Sequence, residues 1–352
     1  MSGEFRYAAG TARADRGFRA ASAVRRHRLF HTTHPFELRA PVADVLRGEL
    51  RRDEPMSRHV SWRAGGSVDR AYWPADLADL QAFLRTLAAG EPVYFVGLGS
   101  NLLVRDAGLR GTVVFTHWAL RNLSLVRSDG SEGLVSADVG VASPKVARFA
   151  ALHDLGGAEF LAGIPGTIGG ALAMNAGCYG GETWNVVREV TTIDRRGHLR
   201  CRTLADYHIA YRTVLLRTGH SGAALRSSTD FDEWFVSALL AFPRGEGAQA
   251  RQKIRELLAK RIASQPLGEP NAGSVFRNPT GAYAARLIED CGLKGRAIGG
   301  ALISPKHANF IVNTGTATAA DIEGLIELAQ TAVRHKFGVD LEREVRIIGE
   351  PR

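Results

Sequence analysis

The sequence predicts an α+β protein: two small α/β units followed by a C-terminal α+β unit. A strand–helix–strand pattern occupies residues 71–96, and short β-rich runs alternate with glycine turns over 113–217. A strand near 233 then gives way to helical patterns and a closing strand. With 352 residues, 45% hydrophobic and 23% charged, the chain is long and apolar enough to bury more than one core.

The elements follow in order. Residues 36–54 carry a short helical stripe of Val42, Val45, Leu46 and Leu50. Ser61 to Gly66 makes a turn before a strand at Ala71–Pro74, and Asp76 caps a helix running to about Ala89 with Leu77, Leu80 and Leu84 on one face. The apolar run Val93–Val96 ends at Gly97. The uncharged stretch from Phe160 to Gly181 reads as close-packed loop. Further on, a strand is expected over 233–242 and a helix over 248–261. A short helix over 283–291 stops at Gly292, because glycine takes positive φ without strain. Thr318 caps the last long helix, whose buried stripe is Ile322, Leu325, Ile326, Ala329 and Val333. An alternating strand over 341–348 closes the chain. With no internal repeat and no low-complexity linker, the units are expected to pack intimately.

No stretch reaches the apolar length that spans a membrane, which predicts a soluble protein without membrane insertion. Cys178, Cys201 and Cys291 are odd in number and form no CxxC pair, which predicts no structural disulfide, no metal site and a cytoplasmic location. The formal charge of +9 suggests anionic partners, although many arginines gather in the first thirty-odd residues. That opening resembles a transit peptide but lacks sustained helical periodicity. It reads as a disordered extension, or as residues upstream of the true start. Nothing in it has the spacing of a nucleic-acid-binding motif, and no obligate protein partner is evident.

Two glycine-dense segments carry the chemistry. In V-G-L-G-S-N at 96–101, Gly97 and Gly99 let main-chain N–H groups approach an anion, and Ser100 and Asn101 add side-chain hydrogen bonds. The sixth position of a dinucleotide fingerprint is Leu102 here, so any pyrophosphate is not held in the Rossmann manner. A tight hairpin remains the alternative. The second segment, Gly163 to Glu182, is too rich in glycine for a packing helix. Such density is kept where backbone passes close to something flat or bulky, or where tight turns join strands.

These segments resemble the UDP-N-acetylenolpyruvoylglucosamine reductase (MurB) family, within the FAD-binding fold of the vanillyl-alcohol-oxidase-like (PCMH) flavoproteins. Further strings agree: M-S-R-H-V-S-W-R-A-G-G at 56–66, Tyr211-Arg212, N-A-G-S-V-F-R-N-P at 271–279, I-G-G-A-L-I-S-P-K-H-A-N-F-I-V-N at 298–313 and L-E-R-E-V-R-I-I-G at 341–349. The likeness covers about 50–350 and most resembles the shorter class, without a tyrosine-bearing lid insertion. It implies a first FAD-binding subdomain over 51–115 completed by 337–352, a second over 116–226 and a substrate-binding domain over 227–336. Residues 1–50 are left as an extension. It also implies noncovalent FAD, with NADPH and UDP-N-acetylglucosamine enolpyruvate as substrates.

By position, the resemblance places Gly97, Gly99, Ser100 and Asn101 at the FAD pyrophosphate. It places Ile164, Gly166, Gly169, Ala173, Asn175 and Gly177 along the flavin. Arg212, Ser274 and Glu344 align with the catalytic arginine, proton-donating serine and catalytic glutamate, and Tyr179, Asn278 and His307 with substrate contacts. Val214 departs from the family, standing where a serine is common, and Arg217 stands where lysine is common. Asn278 lies only five residues before Tyr283, so any lid is built differently.

The chemistry asks for these residue types. Hydride addition to an enol ether moves charge toward the substrate carboxylate, where a fixed cation lowers the barrier. A guanidinium fork such as that of Arg212 holds a carboxylate bidentately. Glu344 either donates a proton-bearing oxygen or positions a water or Arg212. Ser274 supplies the proton to the adjacent carbon and needs cations nearby. Blander readings stand beside these: a structural Arg212–Glu344 ion pair, a turn serine, a His307 that satisfies a backbone group, and Cys178 as a space-filler. Another noncovalent-FAD sugar oxidoreductase of the same fold is the alternative enzyme. Oxidases that tether FAD through His or Cys are disfavoured, since 96–106 contains neither.

Overall fold

The computed structural model describes residues 45–218, 224–226 and 233–351, so the expectations for positions 1–44 lie outside the described residues. The first layer starts with β1 (Glu49–Pro55) and β2 (Ser67–Trp73), continues through α1 (Leu77–Thr86), and ends with β3 (Val93–Val96), β4 (Leu102–Val104) and β5 (Leu109–Phe115). The sheet order is β1-β2-β5-β3, with β2, β5 and β3 parallel and β1 antiparallel at the edge. Asp76 caps α1 by accepting the Asp79 N–H at 2.9 Å, and Leu80 and Leu84 are buried beneath it.

The helical stripe expected over 36–54 does not extend through its C-terminal end, where Glu49–Pro55 is an extended edge strand. Val45 and Leu50 are exposed. Backbone pairing to β2 overrides the local apolar spacing here. The charges along β1 (Glu49, Arg51, Arg52, Asp53) discourage a further strand from adding to that edge.

The second layer contains β6 (Leu123–Ser128), β7 (Glu132–Asp138), α2 (Ser143–Leu152), α3 (Ile168–Met174), the small hairpin β8 (Gly177–Cys178) and β9 (Gly181–Glu182), β10 (Val187–Asp194) and β11 (Leu199–Thr203). A hairpin of β12 (Tyr207–Ala210) and β13 (Thr213–Thr218) follows, with β14 (Ala224–Arg226) beside it, and then the long β15 (Glu233–Pro243). The main sheet, β11-β10-β15-β7-β6, is antiparallel throughout.

Two helices interrupt the stretch expected to be β-rich. α2 buries Val146, Ala147, Ala150 and Ala151, a helical spacing present in the sequence. α3 forms inside the segment expected to be loop, despite Gly169 and Gly170, because Ile168, Ala171 and Leu172 bury one face against the sheet. Gly169 lies where an added Cβ would sit 2.9 Å from the Val139 Cβ, so close helix–sheet approach is one use of that glycine.

The third region holds α4 (Gly247–Ser264), α5 (Ala284–Asp290), the meander β16 (Ala297–Ile298), β17 (Ala301–Ile303) and β18 (Ile311–Asn313), then α6 (Ala319–Phe337) and β19 (Arg346–Ile348). Thr318 caps α6 in a reciprocal box with Asp321, and the expected stripe from Ile322 to Val333 is buried. Asp106, at the end of β4, accepts the N–H groups of Ala319 and Ala320 at 2.9 Å, fixing α6 to the first layer. Trp62 adds a second anchor, buried in the α6 cluster and donating to the Ile311 carbonyl at 2.7 Å. The closing strand is shorter than expected. Glu344 and Val345 both donate to Val275 O, and only Arg346–Ile348 runs parallel to β4. Among the described residues no helix is long and apolar enough to cross a membrane.

Candidate active site

Two loops and two distant segments converge near the junction of these layers. The first loop leaves β3 at Gly97. Gly99 has φ +59, and an added Cβ would lie 2.1 Å from the His59 carbonyl oxygen. Only glycine combines that backbone with so close an approach. Ser61 N–H donates to Gly99 O at 3.2 Å and holds the turn from behind. Asn101 reaches the closing segment, with its Nδ2 donating to Glu344 O at 3.1 Å and its own carbonyl accepting Arg346 N–H at 3.0 Å.

The second loop faces the first. A Cβ on Gly97 would lie 2.3 Å from Thr167 Oγ1, and one on Gly166 would lie 3.1 Å from Ser100 Oγ. Ile164 is buried. On α3, Gly170 and Ala173 are exposed, and a Cβ on Gly170 would meet nothing within 4 Å. A bare helix face flanked by a glycine turn fits a planar ring system with a phosphate-bearing tail, so these residues fit a flavin dinucleotide.

Asn175 behaves differently from its neighbours. It ends α3 in the left-handed region at φ 41 and is buried. Its amide donates to Glu182 Oε2 at 2.8 Å and to Ala210 O, and accepts Trp184 N–H. With the side chain engaged inside the protein, Asn175 fixes backbone carbonyls rather than offering its amide outward.

Arg212 sits in the turn between β12 and β13 at φ 55, a strained conformation for a non-glycine residue. Its Nε donates to Glu344 Oε1 at 2.6 Å, Nη1 to Asn175 O at 3.3 Å and Nη2 to Gly177 O at 3.2 Å. The Tyr211 ring lies 5.0 Å from its guanidinium carbon. Arg277 Nη2 donates to the Arg212 carbonyl at 3.2 Å. Arg277 therefore supports the arginine from below. In the sequence, its place between Ser274 and Asn278 is the signal that points to it.

Ser274 follows Gly273 (φ +78) in a turn held by Asn271, whose Oδ1 accepts Gly273 N–H at 2.9 Å. The next residue, Val275, accepts Glu344 N–H at 2.8 Å. The fold thus brings Ser274 to the same crossing as the Arg212–Glu344 pair, and the serine side chain is partly buried.

The three expected substrate contacts are more dispersed. Tyr179 has φ 54, and its hydroxyl donates to Leu257 O at 2.8 Å, with burial pushing the phenol pKa up. Asn278 Oδ1 accepts Ala284 N–H at 3.1 Å, at the start of α5. His307 Nδ1 accepts Asn309 N–H at 3.3 Å, and burial lowers its pKa. That bond puts the ring proton on Nε2. Val214, the departure from the family pattern, packs against the apolar core of the second layer, and Arg217 donates to Tyr207 O at 3.0 Å. The three cysteines are free, and no metal-binding group occurs among the described residues.

Comparisons with known proteins agree with this geometry. Residues 68–202 match an FAD binding domain, and 265–348 match the C-terminal domain of UDP-N-acetylenolpyruvoylglucosamine reductase. The reductase of Nitrosospira multiformis is 60% identical over 314 residues, covering 87% of this chain and 90% of that protein. That of Thiobacillus denitrificans is 54% identical, covering 89% and 96%. The crystal structure of the Thermus caldophilus reductase (MurB) superposes with a TM-score of 0.66 at 25% identity, covering 86% of this chain and 98% of that one.

Proposed function

Because the chain belongs to the UDP-N-acetylenolpyruvoylglucosamine reductase family, we propose that Arg212, Ser274 and Glu344 are its catalytic residues. The protein is an NADPH-dependent oxidoreductase that converts UDP-N-acetylglucosamine enolpyruvate to UDP-N-acetylmuramate in peptidoglycan precursor synthesis. The two glycine segments would hold FAD, which would supply the hydride relay between NADPH and the enolpyruvyl group. Gly97, Gly99, Ser100 and Asn101 hold its pyrophosphate in this reading, and Ile164, Gly166, Gly169, Ala173 and Gly177 form the surface along the ring. Asn175 belongs with them through its backbone.

One observation carries the catalytic assignment. A guanidinium has five N–H donors, and Arg212 commits three of them to Glu344, Asn175 O and Gly177 O. One donor remains on each terminal nitrogen, the arrangement that grips a carboxylate with two parallel bonds. Charge developing on the substrate carboxylate then meets a cation already fixed in place. Glu344 orients that cation through Nε in this reading, and the side-chain hydroxyl of Ser274, which makes no hydrogen bond among the described residues, delivers the proton. Tyr179, Asn278 and the Nε2–H of His307 are assigned to the nucleotide sugar.

The division into 51–115 with 337–352, 116–226 and 227–336 is proposed with it, supported by β19 lying on β4 and by the separate α5–α6 cluster. So are a cytoplasmic location and independence from nucleic-acid or protein partners, consistent with nucleotide substrates and free cysteines. Anaerobic mixing tests the function. NADPH should bleach the yellow protein and the enolpyruvyl nucleotide should restore its colour. A bleached protein that the nucleotide leaves unchanged would refute the assignment.

A further inference from the structure

We infer that Glu54 and His59 are positioning residues for the cofactor. Their buried pair sets the backbone behind the first glycine loop, and through it how tightly that loop holds the flavin pyrophosphate. The inference rests on the loop assignment given above.

The pattern along β1 runs against ordinary burial. Leu50 is exposed, while Glu54 is the one buried residue of the strand. Carboxylates are seldom buried unless a partner compensates the loss of water. Just before it, Asp53 lies in the left-handed region at φ 52, between Arg52, which pairs with Arg70, and Glu54, which pairs with Val68. A non-glycine residue held there is strained, and its surroundings must enforce it.

The buried carboxylate has a definite partner. Glu54 Oε1 accepts from His59 Nε2 at 2.8 Å, and Arg51 stands 3.8 Å from the same oxygen. The His59 ring lies 4.4 Å from the Phe115 ring and 5.6 Å from that of Trp73. One directional bond and two aromatic neighbours thus fix the ring, and the main chain that carries it. The His59 carbonyl oxygen is the atom that an added Cβ on Gly99 would meet first, at 2.1 Å. Two residues on, Ser61 donates its N–H to Gly99 O at 3.2 Å. Glu54 therefore acts on the loop through His59 and its backbone.

Stability alone does not call for this pair. Replacing a buried polar or ionic pair by apolar side chains of similar volume is often neutral or stabilising. Packing is non-directional, however, whereas a hydrogen bond sets the plane of the ring and with it the carbonyl against which Gly99 closes.

The experiment uses the full-length, flavin-loaded protein and the double substitution Glu54→Leu with His59→Phe. Glu54→Gln, which still accepts a hydrogen bond from His59, is the conservative control. Circular dichroism reads the fold, and the fluorescence of flavin released on dilution reads the FAD dissociation constant. The double variant should fold, and its dissociation constant should rise about tenfold or more, the scale of one hydrogen bond to a charged group. Glu54→Gln should recover most of the affinity. A folded double variant with wild-type affinity overturns the proposal, because packing alone then suffices. A double variant that does not fold overturns it as well, by making the pair structural. Equal loss in Glu54→Gln does the same, by tracing the effect to charge rather than to the bond. Gly99→Ala keeps the two readings apart. Wild-type affinity in that variant refutes the loop assignment, whereas weakened affinity there beside an unchanged double variant refutes only the role of the pair.

Discussion

Replacing Ser274 by alanine separates the two half-reactions. The hydroxyl has no hydrogen-bond partner among the described residues, and its backbone lies in a turn held by Asn271 and by Val275. Removing it breaks no internal bond, so stability should change by no more than about 0.5 kcal/mol. Substrate binding should lose at most one neutral hydrogen bond, about 0.5–1.5 kcal/mol or roughly two- to twelvefold in dissociation constant. Bleaching by NADPH requires no proton at a substrate carbon and should proceed at the wild-type rate. Return of colour on adding the enolpyruvyl nucleotide does require one, and should slow by about 10²–10⁴-fold, the range for losing a positioned acid. The assay is single-turnover absorbance at the flavin band with saturating nucleotide. Reoxidation at the wild-type rate removes Ser274 from the mechanism. Loss of both phases, or of the flavin, would mean that the serine holds the fold.

Other outcomes follow from the same geometry. Arg212→Lys cannot reach Glu344, Asn175 O and Gly177 O together, so reoxidation should fall by at least ~10²-fold; a near-wild-type rate would show that charge alone suffices. Gly99→Ala meets the His59 carbonyl and a positive φ, so purified protein should carry much less flavin by its absorbance ratio, and a fully yellow variant contradicts the first-loop assignment. Acid precipitation should leave the flavin in the supernatant, and colour in the pellet would disprove noncovalent binding. Asp106→Ala removes the acceptor for two N–H groups at the start of α6 and should cost about 1–2 kcal/mol in denaturant unfolding. Deletion of residues 1–35 should leave flavin content and turnover unchanged, since the family strings begin at 56.

The elements easiest to read from sequence were those whose local signals agreed with tertiary burial. α1 has its Asp76 cap, and α6 has its Thr318 box and a five-residue stripe, all as the spacing implies. α3 was hidden because helix propensity argues against Gly169 and Gly170, while burial of Ile168, Ala171 and Leu172 decides the outcome. β1 was hidden for the converse reason: its partner strand, β2, is invisible to a local window. At the site, the glycine loops and the order of the strings named residues but could not supply contacts. The bond from Asn175 to Ala210 O and the support from Arg277 depend on segments far apart in the chain, and the short-range bonds of Asn278 and His307 depend on side-chain rotamers that residue spacing does not set.

Arg212 shows why those distant segments matter together. A non-glycine residue at positive φ costs on the order of 1–3 kcal/mol, and burying a guanidinium adds a desolvation penalty. Against these stand a carboxylate, two carbonyls on the side chain and Arg277 on the carbonyl behind it. The carbonyls come from Asn175, itself left-handed, and from Gly177, where an added Cβ would lie 2.5 Å from Gly181 O. On the proposed assignment, the helix end that offers a bare face to the flavin also holds the arginine, and the segment carrying Glu344 is bound to the first loop through Asn101. In that assignment, cofactor site and cation share one backbone framework. A change that loosens the loop around the flavin should then also displace the charge that stabilises the reacting carboxylate, so Gly99→Ala protein reloaded with excess FAD should still reoxidise slowly. Full recovery of the rate on reloading would mean that the two parts are independent.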